Sequence, residues 1–392
     1  MPLDRKVDSR AMREVNRSII YDLIRDGGEI SRTDLAKISS LTKPTVSTIV
    51  EELLSEGIVS EVGFSKSEPT GGRRARLLRF NPDSAAYVGV RFGVQSTTVA
   101  LSDGLGRVQL EREVPALIGD ASASVDSAVQ ALTEMLVESG VPKSRVHRIG
   151  IAVGGLVEAE SGNCILSPNL EWKDVALREL AEKAFETPAE IFNVTEAAAS
   201  AESKRGATRE IASFVWVYAG TGIGSAITFD GQVMRGSSGF TGEIGFCRMS
   251  EDGPILEEVA SGRVILEEAI VQKKKAGAAL GPDVTVDEVL RLSEEGDVVC
   301  RGVVEEAGRA LGLALAHLVN ITNPELVVVG GGVGERSPAF VEAANAAVKT
   351  QALGPEVVPV VATELPGRAV TTGAVLLAME TAVKSIRIVT RA

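Results

Sequence analysis

Two sets of residues in this chain have types and spacings suited to phosphate. Gly220-Thr221-Gly222-Ile223-Gly224 and Gly330-Gly331-Gly332 each follow an apolar, strand-like run. Glycine turns there let backbone N–H groups approach a phosphate closely, although a Gly-rich turn also serves simply as a tight turn. The second set lies within the first 80 residues. Lys43, Thr45, Ser47 and Thr48 fall in one short segment, Arg32 precedes it, and Arg73, Arg74 and Arg76 follow the polar stretch Pro69-Thr70-Gly71-Gly72. Short polar side chains at the start of a helix suit base edges, and arginines on a turn suit phosphates or a narrow minor groove. The alternative is a solvated charge cluster on a small α/β unit.

The elements that must position the second set are legible. Apolar residues at Ile19, Ile20, Leu23 and Ile24, behind Met12 and Val15, predict a helix over 9–26 closed by Gly27-Gly28. Ser31-Arg32-Thr33-Asp34 reads as a capping box opening a helix to about Ile38. A third helix starts near Thr42-Lys43-Pro44, with Val46, Ile49, Val50 and Leu53 as its buried stripe and Lys43, Thr45, Ser47 and Thr48 outside. Strands at 58–62 and 73–80, joined by a basic turn, complete a winged helix-turn-helix over residues 1–82.

From Ala85 the pattern becomes α/β. A hairpin (87–93, 97–101), a third strand (107–114), a helix (122–139) and strands at 148–153 and 189–192 lead to an Ala-rich helix over 195–205. Strands at 213–218 and 225–229 flank the first glycine loop, and a helix over 300–320 precedes the strand 326–329 and the second loop. A meander followed by crossovers, given twice, predicts two α/β lobes with a cleft between them. The expected lobes are 83–195 with the C-terminal helix, and 196–375. Lys273-Lys274-Lys275 reads as a solvated face and 276–288 as a connection.

Composition constrains the function. The net charge of −12 hides an asymmetry, because residues 1–80 hold 14 Lys/Arg against 12 Asp/Glu and the remainder 27 against 41. A locally positive module on an acidic body is compatible with DNA. Three scattered cysteines, Cys164, Cys247 and Cys300, make no disulfide framework. The N-terminus has no apolar signal region, and no apolar run approaches the roughly 18 residues of a membrane span. A soluble, cytoplasmic protein is expected.

Taken in order, Ser167-Pro168-Asn169-Leu170 with Trp172, Gly220–Gly224, Gly239-Phe240-Thr241-Gly242-Glu243-Ile244-Gly245, Leu256–Gly262 and Val327–Gly332 resemble the ROK family (repressors, open reading frames and sugar kinases). The resemblance covers nearly the whole chain, including the winged helix that only the repressor branch carries. It implies an actin/hexokinase-like duplicated ribonuclease-H-like fold, a sugar cleft, and homodimers or homotetramers.

The resemblance also shows where kinase chemistry is lost. ROK kinases place a general base in an Asn-Asp-Ala-Asn motif, and the matching segment here is Asn193-Val194-Thr195-Glu196. Valine cannot accept a proton, and Glu196, two residues on, points elsewhere on a helix. The family's acidic residue before its first phosphate turn is Arg91, which either holds an anion or, the reading preferred, packs its stem. The family's zinc ligands, a His and three Cys, are missing: Phe246 stands at the His position and 249–255 has no Cys. No cofactor or metal is therefore expected.

Asn193, Glu243 and Glu257 remain of the family's sugar contacts, either binding an effector or serving only as a helix cap and turn contacts. With Val194 and Phe246 beside them, a deoxy, acylated or non-sugar effector is favoured over a plain hexose. The expectation is a DNA-binding regulator, a repressor on a palindromic operator, with no enzymatic activity. The alternative is an ATP-dependent sugar kinase with an appended DNA-binding domain.

Overall fold

The computed structural model describes residues 9–65, 74–354 and 358–388. Its N-terminal part runs α1 (Ser9–Gly27), β1 (Ile30–Ser31), α2 (Arg32–Ser39), α3 (Lys43–Ser55), β2 (Val59–Phe64) and β3 (Arg76–Phe80). The capping box forms: Ser31 accepts from Asp34 N at 3.2 Å while its hydroxyl donates to the Asp34 carboxylate at 2.6 Å. Thr42 caps α3, with Pro44 in the first turn, where no N–H is needed. Val46, Ile49, Val50 and Leu53 are buried with Ile20, Ile24, Leu35, Leu78 and Phe80 in one core. The wing is three-stranded, because β1 also pairs with β3. A strand of two residues is too short to show as a pattern.

The body begins with β4 (Ala86–Phe92), β5 (Ser96–Asp103), β6 (Val108–Pro115), α4 (Ala121–Ser139) and β7 (Val146–Val153). A small antiparallel sheet follows, of β8 (Leu156–Val157), β9 (Cys164–Ser167) and β10 (Trp172–Val175). Then come α5 (Leu177–Phe185), β11 (Ala189–Asn193), α6 (Val194–Arg205), β12 (Phe214–Ala219), β13 (Ile223–Phe229) and β14 (Gln232–Val233). The chain continues through α7 (Glu257–Ala260), α8 (Gly262–Lys275), α9 (Val286–Glu294), α10 (Val298–Thr322), β15 (Leu326–Gly330), α11 (Gly331–Arg336), α12 (Pro338–Gln351), β16 (Val360–Ala362) and α13 (Ala369–Ile388).

The two large sheets are copies of one plan. Their orders are β6-β5-β4-β7-β11 and β14-β13-β12-β15-β16, each an antiparallel meander followed by two parallel crossovers. Each last strand then hands its helix to the middle: α6 packs on β12 and β13, and α13 on β4 and β7. Together α6 and α13 form a layer between the sheets, with Ala197, Ala198, Phe192, Trp216, Val328 and Ala374 in its core. Small residues let the backbones meet. A Cβ at Gly150 would strike the Ala374 carbonyl, and one at Gly373 would strike that of Ala197.

Three sequence expectations need correction. Gly331 and Gly332 open α11 instead of forming a loop, and Ile223 and Gly224 belong to β13. The 276–288 connection ends early, since α9 starts at Val286. Lys273 is not a solvated charge but pairs with Asp297, the N-cap of α10.

Candidate functional site

The cleft between the large sheets holds two adjoining cavities, of about 130 and 270 Å³. Asn193, Val194, Thr195, Glu243, Phe246 and Glu257 line the smaller one, with Asn169 from the turn after β9. Asn193 ends β11 and caps α6. Its Oδ1 accepts from Thr195 N at 2.8 Å and from the Thr195 hydroxyl at 2.7 Å, while its Nδ2 donates to the Gly155 carbonyl at 2.8 Å. The expected cap is therefore present, and the residue still faces the cavity.

The two carboxylates differ in what they bind. Glu257, not Glu243, binds the glycine turn, accepting from Ile223 N at 2.8 Å. Burial first, and the neighbouring Glu257 charge second, push the Glu243 carboxyl above the usual carboxylate range. Val194 occupies the first position of α6, half-buried in the cavity wall. Glu196 does not line either cavity and is ion-paired to Arg235. Phe246, 57% exposed, presents its ring to the opening. Trp172 is buried edge-on against Phe92, a packing residue.

Arg91, Tyr218 and Thr221 line both cavities. Arg91 has no carboxylate within ion-pairing distance among the described residues. The residue is half-buried and lines the cleft with its guanidinium beside Gly93. Thr221 belongs to the glycine turn singled out in the sequence, whereas nothing in the spacing of a strand tells that Tyr218 faces a cleft formed by a distant sheet. Asn169 had a signal in its Ser-Pro-Asn turn. Among the described residues no group of three or more His, Cys, Asp or Glu is placed to hold a metal ion.

On the candidate nucleic-acid face, Lys43 and Thr48 are exposed and Thr45 and Ser47 half-buried along the first turns of α3. The Thr48 hydroxyl donates to the Pro44 carbonyl at 3.1 Å, and the Thr45 hydroxyl lies 2.8 Å from that of Thr42. Arg32 is held by Glu51 at 2.8 Å and by Glu61 at 3.4 Å. Arg76 also pairs with Glu61 and covers the Phe64 ring. Arg74 is described, whereas Arg73 lies outside the described residues.

Residues 87–381 match the ROK family model. The chain belongs to the ROK family. Residues 12–60 also match a winged helix-turn-helix DNA-binding model. The xylose repressor of Caldicellulosiruptor bescii is 31% identical over 84% of this chain and 86% of its own length. The DNA-binding transcriptional dual regulator NagC of Escherichia coli K12 is 27% identical over 87% and 86%. Among solved structures, a ROK family transcriptional regulator described as a homologue of the E. coli MLC protein superposes with a TM-score of 0.81, at 24% identity, over 97% of this chain and 99% of that one.

ROK membership agrees with the duplicated plan and with the cleft falling between its copies. No helix among the described residues is long and apolar enough to cross a membrane.

Proposed function

We infer that this chain is a ROK-family transcriptional regulator, a repressor, which binds DNA through α3 and the β2–β3 wing and responds to a small molecule in the cleft without phosphorylating it. Residues 1–82 would form the DNA-binding unit and 83–392 the effector and oligomerisation unit. What supports the reading is the pairing of a winged-helix core with a cleft in whose wall Val194 heads α6, the position at which the ROK motif implies a kinase's base. In a dimer, two α3 helices about 34 Å apart would read a palindrome, as helix-turn-helix dimers do.

The cavity mixes hydroxyl-binding groups (Asn169, Asn193, Glu243) with Phe246 and Val194. That suits a deoxy or N-acylated sugar better than a plain hexose, and the related repressors are named for xylose and N-acetylglucosamine. The test is selection of bound fragments from sheared genomic DNA, repeated with D-xylose, N-acetylglucosamine and glucose. Enrichment of a palindromic site, lost with one of the first two sugars, is expected. Absence of any enriched site removes the DNA reading, and selective tight binding of glucose removes the apolar-effector reading.

Sugar affinity should also depend on pH. A ligand hydroxyl donates more strongly to Glu243 when the carboxylate is ionised, because charge-assisted hydrogen bonds are the stronger ones, and burial keeps the carboxyl protonated to a higher pH than usual. Affinity will therefore fall as pH drops through that raised value, and Glu243→Gln will flatten the profile, as calorimetry at a series of pH values can show.

A further inference from the structure

A buried rod joins the cleft to the winged helix, beside the direct packing of α1 on α13. The first turn of α6 is tied to both cleft walls: Asn193 donates to the Gly155 carbonyl on one side, and the Thr195 hydroxyl, whose one proton is shared between Asn193 Oδ1 at 2.7 Å and the Ser225 carbonyl at 3.2 Å, reaches the other. From there the helix runs 12 residues, about 18 Å. Thr195 and every residue from Ala197 to Glu202 are buried. Glu202, fully buried, fastens the far end by accepting from the Thr363 hydroxyl and from Ala207 N at 2.8 Å. Packed this way against α13, the helix moves as a unit or not at all.

Its last residue touches the seat of the DNA-binding unit. Arg205 Nη2 donates to the Leu105 carbonyl at 2.9 Å. Leu105 lies in the β5–β6 turn, and its side chain packs against the winged-helix core. The turn itself is stiff. Asp103 Oδ1 accepts from Leu105 N and from Arg107 N, both at 2.9 Å, and Gly106 at φ +69° closes it. Gly104 N donates to the Pro82 carbonyl at 2.8 Å, and a Cβ at Gly104 would lie 3.1 Å from the Phe80 ring, so the turn lies flat on the end of β3.

We propose that Arg205 is a positioning residue, through which displacement of α6 at the cleft sets the orientation of the winged helix on the body. A ligand that draws the cleft walls together must shift the doubly tied first turn of α6, and a rigid helix delivers that shift to Arg205. The guanidinium then moves a stiff turn whose only apolar side chain is seated in the winged-helix core. The ligand-dependent part of this chain of contacts rests on the effector reading above; the orienting part does not.

The test uses the full-length protein with Lys37→Cys and Ser139→Cys spin labels in a Cys247→Ser background, which removes the exposed native thiol. Pulsed electron resonance reads the distance between α2 and the body. Arg205→Met, which keeps the stem and loses the donor, should broaden the distribution about twofold, and Arg205→Lys, which retains a donor, should preserve it. Leu105→Ala, with Arg205 intact, should broaden it as Arg205→Met does. An unchanged width in Arg205→Met overturns the proposal. So does equal broadening in Arg205→Met and Arg205→Lys accompanied by a lowered melting temperature of the body, the mark of a mere structural brace.

A second arm measures release of selected DNA by D-xylose and N-acetylglucosamine. In Arg205→Met, release should fall to less than about twofold while calorimetric sugar affinity stays the same, since coupling and binding are separable quantities. If neither sugar releases DNA from the unaltered protein, the effector reading fails, and the label distances still decide the role of Arg205.

Discussion

Given ATP, magnesium and a panel of hexoses, pentoses and amino sugars, the purified protein will release no ADP above the sugar-free background. A kinase would turn over at about 1–100 per second, so the expected deficit is at least several orders of magnitude. With Val194 at the position where the family motif implies a base, the missing proton acceptor would contribute about 10²–10⁴ by itself. The remaining loss comes from the glycine segments, in each of which a backbone donor is already taken by a carboxylate. Glu257 accepts from Ile223 N in the first turn, while Gly220 N donates to the Gly222 carbonyl at 3.0 Å. In the second, Glu335 accepts from Gly331 N at 3.1 Å, and its other oxygen accepts from Gly367 N, in the connection between β16 and α13, at 2.9 Å. A carboxylate seated on each segment takes one N–H from it and repels a phosphate there as well. For that reason Val194→Asp alone should not create a kinase. Coupled-assay turnover by Val194→Asp would mean that the missing base was the only defect, and turnover by the unaltered chain would overturn the non-enzymatic reading itself.

What the sequence disclosed, and what it hid, divides by range. The α3 stripe, the Ser31–Asp34 cap and both meanders rest on spacings of two to seven residues, so local periodicity was enough to find them. The exchange of α6 and α13 between the sheets depends on Gly150 meeting Ala374 and Gly373 meeting Ala197, approaches across more than 170 residues that no local pattern records. Asn193 was legible as a cap because a cap is a two-residue relation. The division of work between Glu243 and Glu257 was not, because it depends on which carboxylate reaches Ile223 N from a separate loop. The ion pairs are the clearest case. Arg32, Glu51, Glu61 and Arg76 look like independent charges along the chain, and only the fold brings them into one cluster.

That cluster leads to an unusual expectation: Glu61→Gln will tighten DNA binding. Glu61 holds both Arg32 and Arg76, and Glu51 takes the other arm of Arg32. To reach a phosphate, each arginine must leave a carboxylate, and Glu61 adds its own repulsion of the backbone. Removing that charge should raise affinity about five- to tenfold and steepen the salt dependence by about one unit per arginine freed. The cost to folding is small, since exposed ion pairs contribute about 0–1 kcal/mol; an unchanged melting temperature would verify this. Lys43 provides the contrast. It is exposed at the start of α3 with no carboxylate partner among the described residues, so Lys43→Ala should weaken binding to every sequence alike and flatten the salt slope by about one unit. Thr45→Val and Thr48→Val should instead change which bases are preferred, because a lost hydroxyl alters groove contacts without altering charge. Fluorescence anisotropy across a salt series separates the three classes. If Glu61→Gln weakens binding and Lys43→Ala leaves the slope untouched, the DNA lies on some other face of the winged helix.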